Sequence, residues 1–128
     1  MSPVIDYRAT FVMPELTWGR GRFTSEKVEQ LRSVGRVRLT PHFVAGQGLY
    51  DEMAYLRPYE VLESVHCDVF LIHGTEDDKV PISTVRKDAA RFSNRVTYLE
   101  VPAGDHSLVG APPAVDGSDR IVNWFGDM

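Results

Sequence analysis

One cysteine, Cys67, is all the chain holds, so no internal disulfide can staple it and nothing argues for a secreted, cross-linked domain. Long hydrophobic runs are missing as well. The longest stretch free of formal charge, Leu39 to Tyr50, is interrupted by Pro41, Gly46 and Gly48, whereas a membrane-spanning helix takes ~20 mostly apolar residues. The opening MSPVIDYR has no apolar core of the kind a secretion signal carries. A cytoplasmic chain with no membrane partner is the expectation. Neither sign of charge dominates: 14 basic residues face 18 acidic ones, a net charge of -4 that dictates no particular partner. Glycine and proline, 10 and 8 in number, stay below the level of low-complexity disorder. A length of 128 residues fits one domain and excludes a complete TIM barrel, which needs at least ~200.

The two halves of the chain differ in character. Residues 1–66 are irregular, punctuated by Pro3, Pro14, Gly19, Gly21, Gly35, Pro41, Gly46, Gly48 and Pro58. A short helix is predicted over 25–33, with Thr24 or Ser25 as cap and Glu26 and Glu29 near its positive end. Arg36 to Val44 reads as extended, and Tyr50 to Glu63 as helical, bent or broken at Pro58. Residues 67–128 are cleaner. Val69 to His73 is an apolar run of strand formers ended by Gly74, which predicts a strand buried on both faces. Pro81 suits a helix start, and Ile82, Val85, Ala89 and Phe92 line one helical face. Arg95 to Val101 reads as a second strand, and Ile121, Val122, Trp124 and Phe125 as a terminal amphipathic helix from Gly117. Strand, helix, strand, helix with short links implies an α/β layer with a parallel pair.

Reactive groups in open α/β sheets gather beyond the carboxyl ends of the strands. Two polar clusters fall there: Gly74-Thr-Glu-Asp77-Asp78-Lys-Val80-Pro81 after the first strand, and Pro102-Ala-Gly104-Asp105-His106-Ser107 after the second. Neighbouring parallel strands would hold both on one rim. A carboxylate beside an imidazole fixes the ring's tautomer and stabilises its protonated form, which is what a general base for a hydroxyl nucleophile requires.

Residues 68–107 resemble the C-terminal portion of an α/β-hydrolase. The features that match are the strand ending in His73-Gly74, the acid at Asp77 before Val80-Pro81, the helix, the next strand and the Gly104-Asp105-His106-Ser107 turn. The resemblance implies that Asp77 is the acid and His106 the base of a serine hydrolase triad, twenty-nine residues apart. It further implies that Ser2-Pro3-Val4-Ile5-Asp6 is the exit of the preceding strand and that residues 7–66 are a lid-like insertion. No Gly-x-Ser-x-Gly elbow occurs; Ser33 has Gly35 after it but Leu31 where the first glycine should be, and Cys67 lies between His66 and Asp68. His-Gly after a strand also marks the family's oxyanion-hole loop, but the residues after Gly74 hold neither an elbow nor most of a sheet. The chain therefore reads as the acid–histidine part of a hydrolase for carboxylic esters, thioesters or amides. Its nucleophile would lie on another segment or chain, and no cofactor is implied.

Other readings stand beside this one. Asp77 alone would be a turn or cap acid, with Glu76 and Asp78 as neighbours able to substitute, and His106 alone a surface turn residue. Asp105 and Ser107 are turn residues in the simplest account, and His73 is a structural residue hydrogen-bonded near the rim. His73, Asp77 and His106 lack the short spacing of a zinc site. Six basic residues between Arg20 and Arg38, with Trp18 and Phe23 beside them, would suit a nucleic-acid patch, but the acidic total favours a solvated lid face. Trp18, Phe23, Phe43, Tyr50, Met53, Tyr55 and Tyr59 would line an acyl pocket or form the lid's small core. The alternative function is a non-catalytic, truncated hydrolase-like domain that forms a homo-oligomer through an exposed sheet edge.

Overall fold

The structure, a computed structural model, describes residues 2–108 and 117–126. It combines helices with two small sheets and is compatible with the α/β class. After an irregular Ser2–Asp6 segment come a π-helical turn, Arg8–Val12, and two helices, α1 (Thr17–Arg20) and α2 (Ser25–Val34). Strands β1 (Arg36–Thr40) and β2 (Phe43–Gly46) follow, then α3 (Gln47–Tyr55) and α4 (Pro58–Ser64). The remainder is β3 (Val69–Gly74), α5 (Ile82–Arg91), β4 (Val96–Val101) and α6 (Gly117–Gly126). No helix among the described residues is long and apolar enough to cross a membrane.

Local chemistry accounts for the element ends. Thr24 caps α2 by accepting from the Lys27 amide at 3.4 Å, and the helix stops at Gly35, whose φ of 76° is left-handed. Arg36 to Val44 is not one extended run: it folds back at Pro41–His42 into an antiparallel hairpin that pairs Val37 with Ala45 and extends to Gly46. Proline presets a turn φ and has no N–H for a ladder, which is why the chain reverses there. The helix expected near Tyr50 is two helices, α3 and α4, separated at Leu56–Arg57, with Pro58 as the first residue of the second.

Two separate cores result. The first packs Phe23, Leu31, Val37 and Ala45 together, with Phe11, Tyr50 and Met53 against them. Trp18 meets Phe11 edge-on at 5.9 Å and carries the Arg22 guanidinium 4.5 Å above its ring, so both aromatics of the basic segment serve internal packing. The second core joins the N-terminal segment to the parallel layer through Ile5, Leu71, Val85, Ala89, Phe92 and Val96.

The β3–β4 pair is parallel and in register from Val69↔Val96 to Gly74↔Val101. Alternation sends Val69, Leu71, Val96 and Tyr98 toward the helix α5 side, where Val85 and Ala89 are fully buried. The opposite face is less covered than expected: Phe70 and Ile72 are only half-buried, with the Trp124 ring 5.5 Å from Phe70. Burial on both faces was expected from the apolar run; a two-stranded sheet offers α6 too little area, and Val122 and Phe125 stay exposed. Ser2–Asp6 is also not a strand. Its first amide is spent on the His106 carbonyl at 3.0 Å and Pro3 has no amide, so no ladder forms on β3.

The loops after β3 and β4 touch at two glycines. A Cβ placed on Gly74 would lie 2.1 Å from the Gly104 carbonyl oxygen, and the Glu76 amide donates to that same oxygen at 3.0 Å. Thr75 donates its amide to the Val101 carbonyl and accepts the Ala103 amide on its hydroxyl. Gly74→Ala therefore forces backbone apart, and the expected loss is about 1–3 kcal/mol or more, read as a lower urea midpoint. A variant as stable as the wild type would show that the loops do not meet this closely.

Candidate active site

Asp77 is built into its turn by the backbone that follows it. Its Oδ1 accepts from the amides of Lys79 and Val80, both at 2.9 Å, and its side chain has no solvent exposure. Glu76 and Asp78, the possible substitutes, point to solvent. Only the middle acid folds under the turn, because Val80 and Pro81 are themselves buried and draw the following backbone across it.

His106 reaches the other oxygen. Its Nδ1 lies 3.0 Å from Asp77 Oδ2, and its side chain is 16% exposed. The two residues named from the sequence are thus in direct contact, on loops leaving the carboxyl ends of adjacent parallel strands. The Asp105 carboxylate accepts the Ser107 amide at 2.9 Å and shapes the turn that presents the ring.

Ser2 is part of this cluster, and nothing in the sequence marks it. It is 2% exposed; its hydroxyl accepts from the Gly74 amide at 3.4 Å and stands near enough to the Asp77 carboxylate to favour its ionised form. A serine 75 positions before its partner carries no spacing signal. His73, at the end of β3, completes the surroundings with Nε2 3.4 Å from Asp77 Oδ2.

Burial pushes the Asp77 carboxyl up, but the Val80 and Lys79 amides, the His106 ring and the Ser2 hydroxyl outweigh it and hold the group below the ordinary carboxylate value. An ionised Asp77 can only accept, so His106 carries its proton on Nδ1 and presents a bare Nε2. That nitrogen is the basic atom of the pair. Among the described residues no side chain hydrogen-bonds to it.

A cleft of about 540 Å³ adjoins His106. One wall is the N-terminal segment with Pro3, Val4, Tyr7 and Phe11, and the other is α3 with Leu49, Met53 and Leu56; Glu52 is the one charged lining residue. Of the aromatics and methionine expected in an acyl pocket or lid core, only Met53 lines the cleft. Phe23 and Tyr50 belong to the core around Leu31 and Val37, Phe43 and Tyr55 are exposed, and Tyr59 packs on the parallel layer. Ser33 bonds carbonyls of its own helix and Cys67 is exposed, so neither stands with the pair. A scan against protein-family models and a search of curated proteins both find no match for this chain.

The sign of the pH dependence follows from Asp77. Because its folded value lies below the unfolded one, it adds stability that is complete above about pH 4 and is lost as pH falls through the depressed folded value. The stability gap between wild type and Asp77→Asn, taken from urea midpoints, is therefore expected to shrink as pH drops below about 4. A gap that stays constant down to about pH 2 would mean that Asp77 is not held ionised in the fold.

Proposed function

We propose that this chain supplies the acid and the general base of an α/β-hydrolase-type serine hydrolase acting on carboxylic esters, thioesters or amides. The observation that carries the reading is the contact of the buried Asp77 carboxylate with His106 Nδ1 at 3.0 Å, with the His106 ring lining a largely apolar cleft. In this scheme His106 Nε2 takes the proton of a serine hydroxyl as that oxygen attacks the carbonyl carbon, and returns it to the leaving group. Asp77 keeps the ring in the Nδ1–H tautomer and stabilises the imidazolium. The apolar walls suit the acyl part of the substrate. Hydrolysis by this route needs no cofactor. In this reading the nucleophile comes from another segment or a partner chain, and the Ser2 hydroxyl beside the pair accepts the Gly74 amide.

The test compares the 128-residue chain with a product extended by the coding sequence upstream of Met1. A fluorophosphonate probe is expected to label only the extended protein, which also turns over a chromogenic short-chain ester. In that protein His106→Ala or Asp77→Asn should lower turnover by roughly 10⁴-fold. Labelling of the 128-residue chain alone, or turnover untouched by His106→Ala, would overturn the assignment.

A second reading, a non-catalytic domain that self-associates, has one observation in its favour. Among the described residues β3 pairs only with β4, so each strand keeps an edge without a strand neighbour. On this reading native mass spectrometry at micromolar concentration gives a dimer or larger species, and a clean monomer counts against it.

A further inference from the structure

The Asp77 carboxylate has a second imidazole neighbour whose chemistry differs from that of His106. His73 has no solvent exposure. Its Nε2 lies 3.2 Å from the Val80 carbonyl oxygen and 3.4 Å from Asp77 Oδ2, the oxygen that also receives His106. A carbonyl oxygen only accepts, so His73 Nε2 bears a proton. Its Nδ1 is buried without a partner. A second proton there would be an unanswered buried donor, which burial disfavours. The geometry therefore selects one state, neutral and protonated at Nε2. Burial pushes this ring below the ordinary imidazole value, against the opposing pull of the Val80 carbonyl, Asp77 and Glu100.

We propose that His73 is a positioning residue for the acid–base pair: its neutral Nε2–H holds the Val80 carbonyl, and so the turn whose amides grip Asp77, and its ring stands 3.4 Å from Oδ2 and keeps that oxygen in the line of the His106 ring. The Lys79 and Val80 amides hold only Oδ1, so the direction of Oδ2 depends on the side chains around it. Neutrality matters as much as position. A cationic His73 would satisfy the carboxylate by itself and weaken its hold on an imidazolium at position 106, whereas a neutral donor leaves the negative charge for His106. The charged and titratable groups around His73 are Asp77 from its own loop, His106 from the loop after β4, and Glu100, its register partner on β4. The inference rests on the hydrolase reading for its purpose, but its test needs no turnover.

The experiment is long-range ¹H–¹⁵N correlation across the histidine rings of the ¹⁵N-labelled 128-residue chain between about pH 5.5 and 8, the range in which ordinary histidines titrate. His42 and His66, both exposed, provide controls. His73 is expected to keep a pyrrole-type Nε2 and a pyridine-type Nδ1 throughout, and His106 to carry its proton on Nδ1 where it is neutral. In His73→Leu the neutral His106 ring should lose this single pattern and become a mixture of tautomers. In His73→Gln, whose amide is again a donor, most of the single pattern should return. A His73 that titrates with the controls, or that is protonated at Nδ1, overturns the proposal. So does an unchanged His106 tautomer in a folded His73→Leu variant, the result expected of a merely structural histidine. Should His73→Leu not fold, the wild-type spectrum and His73→Gln decide. A missing ester turnover in the extended protein, with this tautomer pattern intact, would remove the hydrolase reading and leave the positioning role standing.

Discussion

The contact between Gly74 and Gly104 is the constraint on which the rest of the site depends. A parallel strand pair only brings two loop starts to within a strand spacing of each other; it does not make the loops touch. Here they touch because neither glycine has a Cβ, so the Gly104 carbonyl settles where a side chain on Gly74 would stand. The amides of Thr75, Glu76 and Ala103 then close the gap with three hydrogen bonds. Ala103 accepts a left-handed φ of 57° in that turn, a strained choice for a residue with a Cβ, and its amide finds the Thr75 hydroxyl as a partner. Relaxing that approach would withdraw the imidazole of His106 from a carboxylate fixed by a different loop.

The carboxylate itself illustrates how a buried charge is kept. Removing a carboxylate from water is costly unless donors replace the solvent. Around Asp77 the donors are two backbone amides of its own turn and the His106 imidazole from the loop after β4, with the Ser2 hydroxyl and the His73 ring close by. The group is ionised where it is buried because the backbone of its own turn points inward, and not because a cation lies against it. This leaves its charge available to His106, the neighbour that lines the cleft.

Around this site the molecule has two cores, one among the helices and hairpin of residues 8–55 and one in a thin parallel layer. The Ser2–Asp6 segment links them, inserting Ile5 into the core of the layer while Pro3 and Val4 face α3 across the cleft. The hairpin is sealed by Val37 and Ala45 against Leu31 and Phe23, while Met13, Val34, Phe43, Val44, Tyr55, Leu56 and Val61 stay exposed around that core. The parallel layer is also only part-covered. One face of β3–β4 is packed by α5, while the other meets α6 chiefly through Trp124. A free strand edge and a part-covered face are what a layer of two strands leaves behind.

Local pattern made the helices and strands after residue 67 readable, because an apolar run cut by glycine and a spacing of three and four are properties of neighbours along the chain. It also made Asp77 and His106 readable, since each lies in a short turn just past a strand. The hairpin at Pro41, the separate core around Leu31 and Val37, the Gly74–Gly104 contact and the recruitment of Ser2 and His73 to one carboxylate were decided only by the tertiary structure. Each joins groups whose proximity comes from packing of distant segments, so no local preference encodes it. Composition and order determined which elements form and where polar clusters fall along them. Which donors converge on Asp77 was settled by the way the elements pack, because a hydrogen bond depends on separation in space and not on distance along the chain.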